Sequence, residues 1–336
     1  MGLLFKMGIQ HGASAVKTRS MYGQRLKAQD FAHMKTLKTV PDAASYLKSH
    51  PAWQRVLEHA PADIHRGELE RLLRATVTGE YGRVFRFIAP SDRELAMYPY
   101  LRYEMFYLMG FLRLLRAGRP HNWDYINPPG ISGKIDFVTF KTCTNYRSFL
   151  AAIRGSFFYK PLAAAAPDGT MPDYTAADIT VHNHYFTSLL AAATKRYRGK
   201  TRETFEEAIG IQTDMANITR IFRLRRFYPN RDTDISGCLA RQYRVSRTFL
   251  DALFASPDDE TAYTLLKASR YAKLFSDNTF DTIEGYYFKA LYDFNRRRYR
   301  SAPDAYTPLA YLFLKEAELR VLIHTIECIR YGITEV

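Results

Sequence analysis

The sequence predicts an all-α protein built from three similar helical modules in a pseudo-threefold arrangement. Three observations carry that prediction. The last stretch of the chain reads as one long helix with both ends marked. The carboxylate-centred pattern inside it recurs twice upstream, in the same order, with a second element before each copy. Period-two alternation, the mark of a half-buried strand, never persists beyond a few residues.

The terminal helix sets the template. Thr307 is placed to be its N-cap and Pro308 its first helical residue, where a missing N–H costs nothing. Gly332 stands where a helix favours a left-handed residue after its last turn. Between them Leu312, Leu319, Leu322, Ile326, Ile329 and Ile333 recur at steps of seven, three and four, which is one helical face. Leu312, Leu319, Leu322 and Ile326 are therefore expected in the core. The same helix carries Lys315-Glu316-Ala317-Glu318-Leu319-Arg320, in which Glu316 and Arg320 have the spacing of an ion pair.

The first module is read over 15–118. Its second element holds Leu47, Trp53, Val56 and Leu57. Its long helix holds Glu104, with apolar Leu108 and Leu112 four and eight residues later, and it stops at Gly118 with Pro120. The second module is read over 135–230. It runs through a looser copy of the second element, Phe149-Leu150 to Leu162, to Asp214, Ile218 and Phe222, and stops at Pro229-Asn230. The third is read over 240–332. Leu265, Tyr271, Leu274 and Phe275 repeat the spacing of Leu47, Trp53, Val56 and Leu57, and Glu318, Leu322 and Ile326 close the pattern. Modules two and three also share a Tyr-Phe pair (Tyr185-Phe186, Tyr287-Phe288) and an Arg-Tyr-Arg (196–198, 298–300). Basic residues follow each carboxylate helix: Arg113 and Arg116, Arg223 to Arg226, and Arg330. They complement the negative end of the helix dipole. The connectors are 119–134, rich in Pro and Gly, and 230–237, with its Arg-Asp-Thr-Asp run. Such modules can close into a ring or funnel or stack as a short solenoid, and spacing alone permits each.

The chain has 336 residues, enough for two or three domains, and carries 48 Lys+Arg against 34 Asp+Glu, a formal charge of +14. That excess points to an acidic partner: nucleic acid, an anionic membrane face or an acidic protein surface. Cys143, Cys238 and Cys328 lie far apart and offer no CxxC pair, which fits reduced thiols packed as small apolar residues in a cytoplasmic setting. Met1 to Phe5 is too short an apolar run for a signal peptide. The most apolar window, Tyr98 to Leu115, is broken by Arg102, Glu104 and Arg113, so the chain is expected to lie against a membrane at most, without crossing it.

No catalytic, cofactor-binding or metal-ligating residue emerges. Gly130-Ile-Ser-Gly133-Lys134 and Gly199-Lys200-Thr201 lack the spacing of a phosphate loop and follow no readable strand. His182 and His184 are two apart, so on a helix they point to different sides and cannot grip one metal; they are expected at exposed or cap-adjacent positions. Glu104, Asp214 and Glu318 have no accompanying base or nucleophile. Their recurrence at one place in the pattern predicts a structural role, as inter-helix ion pairs or caps to a neighbouring turn. The clusters Arg223 to Arg226 and Arg296 to Arg300, interleaved with Phe and Tyr, have the look of a nucleic-acid surface and equally that of helix C-termini.

These residues carry a family resemblance. Pro308-Leu-Ala-Tyr311-Leu312 through Lys315 to Arg320 and on to Gly332 resembles the C-terminus of the C-type stalk subunits of bacterial and archaeal V/A-type ATPases, whose counterpart in the eukaryotic vacuolar enzyme is the d-type stalk protein. Ala15 to Leu26 with Asp30-Phe31 resembles that family's opening helix and turn, as does Val40-Pro41-Asp42 through Trp53-Gln54-Arg55-Val56-Leu57. Lys134-Ile135-Asp136-Phe137 and Tyr103-Glu104 match its module starts and helices. The Asn usual in the repeated helix is present as Asn217, with Tyr107 and Val321 at the other two copies. The resemblance implies a funnel-shaped, non-catalytic stalk component without a cofactor, peripheral on the cytoplasmic face of the membrane. Its implied partners are the D and F proteins of the central stalk in its cavity and the membrane rotor ring beneath, in a complex that transports protons or sodium. It implies no nucleic-acid partner. Two alternatives stand beside it: a basic helical nucleic-acid-binding protein, and a helical scaffold for another acidic protein.

Overall fold

The computed structural model describes residues 2–120, 135, 137–227, 235–276 and 282–333. All regular structure among them is helical. The Gly130 to Lys134 segment, Asp136, the stop at Pro229-Asn230 and most of the two connectors read at 119–134 and 230–237 lie outside these residues. The chain divides into two compact units, one of Met1–Ala96, Ile126–Ile131 and Asn295–Val336, the other of Met97–Tyr125 and Ser132–Phe294.

The first unit joins the two ends of the sequence. Three long helices, α1 (Gly2–Gly23), α5 (Arg66–Phe85) and α16 (Thr307–Tyr331), pack on one another. The short helices α2 (Ala28–Met34), α3 (Val40–Ser49) and α4 (Gln54–Leu57) precede α5, α6 (Arg93–Ala96) follows it, and α2 and α3 lie against α16. Local chemistry marks the starts. Thr39 Oγ1 accepts from the Asp42 N–H at the head of α3, and Asp30 takes the Lys27 N–H at the head of α2. Leu312, Leu319, Leu322 and Ile326 are buried, as the stripe predicts. Ile333 is 53% exposed, because it lies past the last turn and its N–H is used to end the helix. The start differs by one residue. Tyr306 is the N-cap and Thr307 is already helical, its hydroxyl turned back to the Pro303 carbonyl.

The second unit contains α7 (Tyr98–Arg116), a 3₁₀ turn at Phe137–Thr142, α8 (Tyr146–Ala152), α9 (Tyr159–Ala165) and α10 (Tyr174–Arg196). It continues with α11 (Gly199–Phe227), α12 (Arg247–Ala255), α13 (Asp259–Lys267), α14 (Ala272–Phe275) and α15 (Ile283–Arg298), the last of which crosses the unit boundary. The antiparallel pair α10 and α11 forms its spine, with α7 and α9 packed on α10 and α12 on α11. Asn145, Asp173, Ser246 and Asp258 cap α8, α10, α12 and α13 with their side-chain oxygens. Gly210 is obligatory on α11, since a Cβ there would stand 2.2 Å from the Tyr243 ring.

Helices α7 and α16 end alike. Gly118 and Gly332 both take left-handed φ, 69° and 64°. In each, the glycine N–H bonds the carbonyl three residues back, and the next N–H reaches five back, from Arg119 to Leu114 and from Ile333 to Cys328. Each glycine stands at the same interval after its carboxylate, Glu104 or Glu318.

Candidate functional site

The recurring carboxylates are the natural centre. Glu318 Oε1 accepts the Trp53 indole N–H at 3.1 Å and the Leu26 backbone N–H at 3.2 Å. Asp214 accepts the Tyr271 hydroxyl at 2.9 Å and the backbone N–H groups of Tyr243, Arg244 and Val245 at 2.8, 2.6 and 3.4 Å. The same sequence interval separates Leu26 from Trp53 and Arg244 from Tyr271. Each carboxylate thus ties the turn before one short helix to the aromatic residue before another. Trp53 precedes α4 and Tyr271 precedes α14. Burial pushes the Asp214 carboxyl above its ordinary value against the pull of its four donors.

The third copy differs. Phe158, buried directly before α9, stands where Trp53 and Tyr271 stand, and a phenyl ring has no polar hydrogen to donate. Glu104 has no hydrogen-bond partner among the described residues, and burial pushes its carboxyl up to about 7. The short-helix segment still packs on this helix through rings: Tyr107 against Phe137 at 5.7 Å and Phe111 against Phe140 at 4.7 Å.

Around Glu318 a wider ionic cluster is sealed in the first unit. Lys315 is 4% exposed, and its ammonium lies 3.6 Å from the centre of the Trp53 ring. It stands 3.4 Å from Glu318 and 4.0 Å from Glu80, whose other donors are Arg83 and the Tyr311 hydroxyl. Burial and the Glu80 charge together drive the Tyr311 hydroxyl well above its ordinary pKa. The Lys315-to-Glu318 stretch singled out in the sequence is therefore the buried joint between α16, α5 and the Trp53 turn.

Two arginines in the last turns of α11 work internally. Arg225 is 5% exposed, and its Nη1 donates to the carbonyls of Leu253, Phe254 and Ser256, capping the C-terminus of α12, while Nη2 reaches Asp259. Arg220 donates to the Cys238 carbonyl and faces Asp178 at 3.6 Å. Burial alone would raise the Asp178 carboxyl, yet His182 and Arg220 beside it hold it below its usual range. Asn217 exchanges two hydrogen bonds with the Ala240 backbone, 3.1 and 2.8 Å, which fixes the start of the following segment.

The histidine pair is not at a helix end or in open solvent. Both residues lie mid-way along α10 and are half-buried. His182 Nδ1 faces the Asp178 carboxylate at 3.3 Å and His184 packs on Phe157 with ring centres 4.5 Å apart. Phe157, in the turn before α9, covers a position that the local sequence leaves open. Gly199-Lys200-Thr201 opens α11 directly after helix α10, with no preceding strand. Among the described residues no group of His, Cys, Asp and Glu is arranged to hold a metal. What this geometry does is hold: it fixes turns, helix ends and aromatic rings.

The sequence matches the family model described as ATP synthase (C/AC39) subunit over residues 15–335. The chain belongs to that family. A search of curated proteins gave no match. Members of the C/AC39 family are non-catalytic components of V/A-type rotary ATPases, and this C/AC39 chain is all-helical, as the sequence predicts. No helix among its described residues is long and apolar enough to cross a membrane.

Proposed function

We propose that this C/AC39 protein couples the central stalk of a rotary ATPase, formed by the D and F proteins, to the membrane rotor ring, from the cytoplasmic face of the membrane. The family match across nearly the whole chain carries the reading. A coupling element under torque needs stiff, close-packed parts, and the buried anchors at Glu318, Asp214 and Arg225 meet that need. The three modules, 15–118, 135–230 and 240–332, form a pseudo-threefold funnel in this proposal, supported by the matching Glu318 and Asp214 clamps and the matching Gly118 and Gly332 helix ends. The stalk enters the concave side, and basic and aromatic side chains meet acidic headgroups or ring loops on the other.

Within the Arg223 to Arg226 cluster, Arg225 is buried against carbonyls and Arg223 pairs with Glu284, so part of the charge that suggests a nucleic-acid surface is used inside the chain. The test is co-purification. The chain mixed with recombinant D and F stalk proteins should elute as one complex in gel filtration at physiological salt. Separate elution, together with steeply salt-dependent binding of an RNA oligomer, would replace the adaptor by the nucleic-acid reading.

A further inference from the structure

We infer that the cleft bounded by α7, α10, α11 and α15 in the second unit seats an apolar side chain of the stalk partner with an acidic residue beside it. This rests on the adaptor reading and names where and by what chemistry the contact is made. The cleft has a volume of about 450 Å³ and is walled largely by apolar and aromatic groups, among them Met105, Phe186, Leu224 and Phe288. That size and lining suit a recognised group rather than a packing gap.

One polar side chain reaches the cleft mouth with donors to spare. Arg223 stands at the mouth with its side chain 62% exposed. Its Nε and Nη2 both donate to one oxygen of Glu284, at 3.2 and 3.0 Å, which leaves the Nη1 edge with no partner among the described residues. The mouth thus already binds a carboxylate within the chain and keeps donors for a second. Arg102, Arg220 and Arg223 line the cleft together with Asp178 and Glu284, and this excess of positive charge favours an acidic visitor.

Phe106 tells a protein segment from a small anion. It lines the cleft yet is 55% exposed, extending the apolar surface past the cavity to where only a larger partner would cover it. Asp178, His182 and Arg220 form an ionic cluster in the same wall, with His182 and Arg220 3.3 and 3.6 Å from the Asp178 carboxylate.

The test uses the full-length chain and purified D/F stalk, with binding measured by interferometry for wild type, Arg223→Ala and Ala216→Phe. Ala216 lines the cleft, and a phenyl ring there fills it. Both variants should weaken binding at least tenfold with unchanged helicity and melting temperature. If Ala216→Phe melts early, Arg223→Ala, at an exposed position, decides by itself. Wild-type affinity in a folded Arg223→Ala variant overturns the cleft assignment and leaves the adaptor role standing. Failure of the wild type to bind D/F overturns the adaptor role, and the cleft with it. An RNA oligomer whose binding falls with the same two variants would also overturn the assignment.

Discussion

Lys315→Met is the sharpest perturbation of the first unit. Methionine keeps an apolar stem over Trp53 and removes the ammonium. Glu318 and Glu80, with side chains 8% and 7% exposed, then remain as buried carboxylates at positions where Lys315 now stands 3.4 and 4.0 Å away. Both keep other donors: Trp53 and Leu26 for Glu318, Tyr311 and Arg83 for Glu80. The loss is therefore of charge compensation, and breaking a buried ion pair by removing one partner costs about 3–5 kcal/mol. The Lys315→Met/Glu318→Gln double variant keeps an acceptor for the indole and removes one stranded charge, so a coupling of roughly 1–3 kcal/mol should be recovered. Trp53 reports directly. The chain has two tryptophans, so a Trp123→Phe background leaves its indole alone, and urea unfolding followed by its emission gives the shift in midpoint at constant slope. A loss under about 1 kcal/mol, or no recovery in the double variant, would refute the claim that Lys315 balances two buried carboxylates.

Other expectations are independent of that cluster. Leu322 is 0% exposed on α16, and Leu322→Ala should lower unfolding stability by about 2–5 kcal/mol in the same urea titration; a loss below ~0.5 kcal/mol would place it at the surface. The Glu104 carboxyl is raised from 4.5 to about 7 in the folded chain, so the folded state holds the proton more tightly and stability falls as pH rises through that window. Glu104→Gln should remove that fall, worth about 3 kcal/mol at most, when unfolding is compared at about pH 5 and about pH 8; identical pH slopes in wild type and variant would contradict it. The isolated chain should give no calorimetric signal with ATP at micromolar concentrations, and nucleotide binding lost in Lys200→Ala would overturn the absence of a phosphate site.

Part of this architecture is written locally and part is not. The stripe of α16, the left-handed stops at Gly118 and Gly332 and the shared spacing of Trp53 and Tyr271 follow from periodicity and steric preference within one segment. The helix start moved by one residue because proline is tolerated throughout the first turn, so Pro308 does not choose between Tyr306 and Thr307 as the cap. The roles of Arg225, Arg220 and Asn217 were hidden. Their partners are backbone carbonyls and N–H groups 18 to 31 residues away in sequence, and the composition of such a contact is invisible because every residue has a carbonyl. Helix-end arginines look the same whether they answer a dipole in water or cap a neighbouring helix. The differing third clamp had one legible sign, Phe158 in place of a donor, but the middle copy's looser spacing obscured its alignment with Trp53.

Ion pumping in reconstituted vesicles tests the coupling role most directly. Complexes assembled with and without this protein are compared for ATP hydrolysis and for ATP-driven ion uptake. The account predicts that without it the catalytic head still hydrolyses ATP while uptake is abolished, and that adding the purified chain back restores uptake. Normal uptake in its absence would contradict the coupling role.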